Sequence, residues 1–114
     1  MSQTIPHQID LATAIDLTTR LRNNRPGNLP ICETYDKASV QAVLNQPSAA
    51  KFRLYLGQKP NGDICNVLVA ADENDRDILP QEGGNSLTGE DEGIMLEDSI
   101  RCPELCPPQS PLNS

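Results

Sequence analysis

Lys51-Phe52-Arg53-Leu54-Tyr55-Leu56-Gly57-Gln58-Lys59-Pro60-Asn61-Gly62-Asp63-Ile64-Cys65-Asn66-Val67-Leu68-Val69-Ala70-Ala71 is the stretch that decides the fold. Residues 51–56 alternate polar and apolar with period two, the pattern of a half-buried strand. Ile64–Ala71 is nearly continuously apolar, as a strand covered on both faces is. Between them, Asn61-Gly62 is the preferred pair for a tight hairpin turn. A bend centred there sets Phe52 opposite Ala71, Leu54 opposite Val69 and Leu56 opposite Val67, with Phe52, Leu54 and Leu56 turned toward the helices. A one-residue slip would scatter that set over both faces. A four-residue loop, 60–63, keeps the same register and takes Pro60, which has no N–H to donate, out of the ladder.

Outward from the hairpin, residues 11–23 read as an amphipathic helix. Leu11, Ala14, Ile15, Leu17, Thr18 and Leu21 fall on one side at 100° per residue, with Thr13, Asp16, Arg20 and Asn23 opposite. Asp10 stands at the N-cap, where its carboxylate accepts from first-turn amides. Arg20 and Arg22 sit at the end that favours cations, and Pro26-Gly27 stop the helix. A shorter helix is predicted over 37–45, with Asp36 as cap and Val40, Val43 and Leu44 as its apolar stripe. Pro47 ends it.

Beyond Ala71 the chemistry changes. Residues 72–98 hold ten acids and one base, a net of −9, while the rest of the chain nets +2. The turn at 72–77 is polar, and 81–93 mixes glycines and acids with too little apolar content to order itself. Ile94-Met95-Leu96 reads as a brief third strand, which a two-stranded hairpin needs for stability. The predicted class is α+β: two N-terminal helices packed on a small antiparallel sheet, with a flexible C-terminal region. Its divisions are a flexible terminus at 1–9, a compact domain at 10–79 and a disordered acidic loop at 80–93. The third strand then falls within 94–100, and a tail rich in Pro and Cys occupies 101–114.

In this order the chain resembles a family of small bacterial proteins of uncharacterised activity. The resemblance rests on the first helix, Leu44-Asn45-Gln46-Pro47, Arg53-x-Tyr55-x-Gly57, the apolar strand into Asp72-Glu73-Asn74, and Cys102-Pro103-x-x-Cys106-Pro107-Pro108. It covers most of residues 10–108, with 81–93 expanded. It supports the fold and implies no activity.

Composition narrows the function classes. A pI near 4.5 and three aromatic residues supply neither the cations nor the stacking platforms that nucleic acid requires. The longest apolar run, 67–71, is far below the roughly 20 residues of a membrane span. No basic and apolar leader opens the chain, so the expected compartment is the cytoplasm, with its cysteines mostly as thiols. With no Trp and one Phe, the core is small, and a lone monomer is expected to be marginal.

Candidate chemistry gathers at the cysteines. Cys102 and Cys106 have the spacing of half a zinc site, with Cys32 or Cys65 as completing ligands. A second cysteine pair at such spacing is missing, and Cys65 shares a strand face with Val67 and Val69, the setting of a buried apolar cysteine. The same two cysteines would equally form a disulfide under oxidising conditions, or stay a free pair. A thiol-redox module is the related option, although the two-residue spacing of redox motifs is absent and only Arg101 is a neighbouring cation. The 72–77 turn falls short of a calcium loop: position 5 is Arg76, position 6 is Asp77 and position 12 is Gly83. His7 is the sole histidine, so nucleophile systems lack a base, and no catalytic residue is assigned. The reading that best fits is a non-catalytic accessory or interaction domain that binds a protein partner or another copy through a helix face or sheet edge. The alternative is a zinc or thiol module on Cys102 and Cys106.

Overall fold

A computed structural model describes residues 5–80 and 93–113. The predicted acidic loop at 80–93 therefore lies outside the described residues, apart from Pro80 and Gly93, as does 1–4 of the N-terminal stretch. In chain order the elements are α1 (Leu11–Asn24), β1 (Cys32–Thr34), α2 (Lys37–Leu44), β2 (Lys51–Gln58), β3 (Ile64–Ala71), β4 (Met95–Leu96) and β5 (Ile100–Cys102). They form a three-stranded antiparallel sheet, β2-β3-β4, and a two-stranded antiparallel ribbon, β1-β5. The α+β class follows, with the third strand at Met95–Leu96. The ribbon was not foreseen, and it takes Arg101 and Cys102, the first two residues of the expected tail, into a strand.

The hairpin forms one residue out of the expected register. Phe52 stands opposite Ala70, Leu54 opposite Leu68 and Leu56 opposite Asn66. The cause is the turn. A two-residue Asn-Gly turn needs positive φ at both positions, but of the two only Gly62 has it, at 96°. Pro60, with φ preset near −65°, instead takes the second position of a type I turn starting at Lys59. Gly62 N donates to Lys59 O (2.9 Å) and Lys59 N donates to Asp63 O (2.8 Å). Asn61 Oδ1 accepts from Asp63 N at 2.9 Å. This is a loop of odd length closed by a glycine bulge, and odd length shifts the pairing by one.

The shift decides which side chains are covered. The core cluster is Val43 of α2 with Ala70 and Ile78, joined by Ala49, Ile94 and Leu96. Thus α2 lies over β3 and β4, on the face that carries Phe52, Leu54 and Leu56, but it does not extend across β2. Those three side chains are 44%, 51% and 76% exposed, so the expectation that they face the helices fails. β3 meets its expectation: Leu68, Val69, Ala70 and Ala71 are all buried.

The helices divide in the same way. Asp10 Oδ1 accepts from Thr13 N at 2.8 Å, so the N-cap is in place. Asp36 stands at the N-cap of α2 but makes no capping bond through its side chain. α1 buries none of its residues, and Leu11, Leu17 and Leu21 are exposed. Packing of both helices on the sheet therefore holds for α2 alone. No helix of the described residues is long and apolar enough to cross a membrane.

Candidate interaction edge and cysteine cluster

β2 presents two different faces and an open edge. Among the described residues, no strand pairs with its outer side. One face carries the exposed row Phe52, Leu54 and Leu56. The other carries Lys51, Arg53 and Tyr55, and the chain's own acidic turn occupies it. Arg53 Nη1 donates to Asp77 Oδ1 at 2.5 Å, its Nη2 pairs with Asp75, and the Tyr55 hydroxyl donates to Asp77 Oδ2. Lys51 Nζ reaches Asp75 at 3.3 Å. The Tyr55 hydroxyl, then Arg53, hold the Asp77 carboxyl below the usual carboxylate range. Lys51, then Arg53, do the same for Asp75. Asp77 in turn pushes the Tyr55 phenol up. Two of the acids of 72–98 are thus neutralised inside the molecule.

The turn itself satisfies its own oxygens. Asp72 Oδ1 accepts from Asn74 N at 2.9 Å and from Arg76 N at 3.0 Å, and Asp72 N donates to Arg76 O at 2.9 Å. This is the ordinary self-bonded acidic turn. His7 is exposed.

The ribbon is built on different chemistry. Opposite each other in β1 and β5 stand Glu33 and Arg101, whose side chains are 4% and 10% exposed. Their Oε1 and Nε lie 3.7 Å apart. Asn66 Nδ2 donates to Glu33 Oε2 at 2.5 Å, and Arg101 Nη2 donates to Ile64 O, so the pair ties the ribbon to the start of β3. Arg101 Nη1 is buried without a hydrogen-bond partner among the described residues. The Tyr35 hydroxyl donates to Asn66 O at 3.3 Å, and burial, reinforced by Glu33, pushes that phenol up. Nothing in the spacing of Glu33, Asn66 and Arg101 signals this arrangement in sequence.

Gln46 is a further residue that sequence reasoning passed over. It is buried, donates through Nε2 to Val43 O at 2.8 Å and accepts at Oε1 from Gly93 N (2.6 Å) and Ile94 N (3.1 Å). The Leu44-Asn45-Gln46-Pro47 segment thereby fastens the end of α2 to the start of the third strand. A buried amide flanking a proline stop was the only available signal.

The four cysteines separate into three settings. Cys102 and Cys106 are joined by a disulfide, with Cα atoms 4.5 Å apart. Cys102 is 1% exposed. Cys32 is a free, half-buried thiol directly opposite Cys102 in the ribbon. Cys65 is free and buried in β3. Its Sγ packs under Gly57, where an added Cβ would come within 3.3 Å. Cys32 and Cys65 both line a cavity of about 130 Å³ bounded by Leu56 and Asn66. Among the described residues, no group of three or more His, Cys, Asp or Glu side chains is arranged to hold a metal ion.

These features define a small α+β protein whose strand β2 has no partner on its outer side among the described residues, and whose ribbon carries a buried ion pair and a disulfide. No family model, no curated protein and no solved structure matches the chain.

Proposed function

We propose that the chain is a non-catalytic interaction domain that works by extending its sheet at β2, and that the added strand is β2 of a second copy. The observation that carries this reading is the exposed row of Phe52, Leu54 and Leu56 on an unpaired edge. The outer side of this eight-residue strand, where alternate residues present their N–H and C=O groups and no strand pairs among the described residues, is a template for another strand. The sequence of the strand selects the register of self-pairing. Centred on Leu54, an antiparallel pair sets Leu54 against Leu54 and Phe52 against Leu56 on one face, and Arg53 against Tyr55 on the other. All apolar side chains then meet, and a guanidinium lies across from a ring. Shifting the centre to Arg53 would set like charges in opposition, and centring on Tyr55 would face Phe52 with Gln58. A twofold axis through Leu54 therefore gives the self-complementary surface that a symmetric dimer needs.

The pair brings together six large apolar side chains, three from each copy. At about 1.5–3 kcal/mol each they outweigh an association cost of about 4–15 kcal/mol by several kcal/mol, so the dimer should be weak, with a micromolar to submillimolar Kd. Sedimentation of the protein between about 5 and 500 μM tests this. The mass should rise toward two chains, and Leu54→Lys, which sets two cations face to face, should hold it at one chain with an unchanged circular dichroism spectrum. A wild-type chain still monomeric at the highest concentration overturns the reading. The resemblance to small bacterial proteins supports the element order and adds nothing on activity. A zinc site on Cys102 and Cys106 would require their bridge to be reduced first.

A further inference from the structure

We infer that Cys32, Cys102 and Cys106 form an internal thiol–disulfide exchange site, in which one bridge moves between the tail turn and the ribbon. The observation is a register position. Cys32 and Cys102 are direct partners across β1 and β5, so their side chains lie on the same face of the ribbon. Partners in antiparallel strands have Cα atoms about 4.5–5.5 Å apart, inside the window of about 4.4–6.8 Å that disulfides occupy. A Cys32–Cys102 bridge is therefore within reach of the backbone as it stands in the ribbon. Cys102 already carries a bridge to Cys106, and Cys32 is a free thiol.

The step balances without an external reagent. Cys32 loses its proton, and the thiolate attacks Sγ of Cys102. The Sγ102–Sγ106 bond breaks as Sγ32–Sγ102 forms, and Cys106 leaves as a thiolate that takes up a proton. Nothing is oxidised or reduced overall, because the existing bridge supplies the disulfide and the free thiol supplies the nucleophile. Attack by a thiolate makes the rate rise with pH.

The two states differ in what they fasten. The Cys102–Cys106 bridge closes a turn of four residues' separation, whereas Cys32–Cys102 joins strands from opposite ends of the chain. The second closes a far longer loop and restrains the unfolded chain more. It also leaves Cys106, which is exposed, as a free thiol for a disulfide partner in solution. Cys65 takes no part: it sits in β3 beneath Gly57.

The test maps the bridge in the full chain. Protein purified without reductant is held at pH 6 or pH 8.5, blocked with N-ethylmaleimide in acid and cut with trypsin and a glutamyl endopeptidase. Glu104 lies between Cys102 and Cys106, so the two sulfurs fall on separate peptides. The expected result is a Cys32–Cys102 peptide that forms at least severalfold faster at pH 8.5 than at pH 6 over a fixed time course, with maleimide moving from Cys32 to Cys106. Cys65→Ser should leave this unchanged. Cys106→Ser, oxidised mildly, should give the Cys32–Cys102 bridge nearly completely and melt higher than Cys32→Ser, which keeps only the tail bridge. Cys32 labelled completely at both pH values, or folded Cys106→Ser failing to form the ribbon bridge, overturns the inference.

Discussion

The three-stranded sheet and the two-stranded ribbon are held together by opposite means. In the sheet, α2 presses Val43 onto Ala70 and Ile78, and among the described residues Gln46 is the one buried polar residue beside that apolar core. In the ribbon, three-residue strands bury an ion pair and carry a disulfide at one end. The difference follows from size. Three residues a side cannot bury enough apolar area to offset the ordering of their backbone. A short element must therefore depend on charge pairing or covalent linkage. The sheet reaches its own limit at β2, where α2 ends and the apolar row is left for a neighbour.

The sharpest way to break this comparison is to remove the ribbon's cation. Arg101→Met leaves the Glu33 carboxylate buried and unpaired, and should cost about 3–5 kcal/mol in urea unfolding. If Val43→Ala, which only opens a cavity in the sheet, costs more than Arg101→Met, the two halves are not held differently. A smaller effect is expected at the one polar point of the sheet core. Gln46→Leu strips the acceptor from the N–H groups of Gly93 and Ile94, and should cost about 1–3 kcal/mol. Amide exchange at Ile94 and Met95 should accelerate while that of Val67 and Val69 stays slow. Uniform acceleration would mean that Gln46 secures the whole sheet rather than the third strand.

The smallest effect belongs to the exposed face of β2. Asp75 and Asp77 are held below the usual carboxylate range in the folded chain. Their contribution is thus fully present above the ordinary carboxylate pKa near 3.9 and is lost as pH falls through the lower folded values. Asp77→Asn should lower the melting midpoint slightly at pH 7, and the difference from wild type should shrink steadily as pH falls below the ordinary carboxylate range. A gap that persists in acid would show that Asp77 acts through packing and not through charge.

What was legible in sequence depended on how local its cause is. α1, α2 and both hairpin strands follow from side-chain period and from caps or stops within a few residues. The register did not, because it turned on whether Pro60 lies inside the bend or beside it, and one proline reversed which half of β3 faces α2. The open row on β2 was hidden for a related reason: alternation marks a strand's apolar face without saying how far the covering helix reaches. The ribbon was least visible. Cys32 and Cys102, or Glu33 and Arg101, have no periodicity to join them, and only the count of cysteines pointed toward both ends of the chain. Of the candidate ligands, Cys102 and Cys106 are together, Cys32 stands beside them, and Cys65 lies in another strand.

Gly93 has one last consequence. Its φ of 110° and its closeness to Leu79 and Pro80, where an added Cβ would fall 2.2 Å from Pro80 N, set the two margins of the acidic insert side by side. Pro80 and Gly93, the described residues on either side, therefore meet at a single point, pinned there by Gln46. Since doubling a closed loop costs only about 0.6 kcal/mol, a longer or shorter connection between Pro80 and Gly93 should cost the domain little. That makes this root the natural place to splice in a reporter or a foreign epitope.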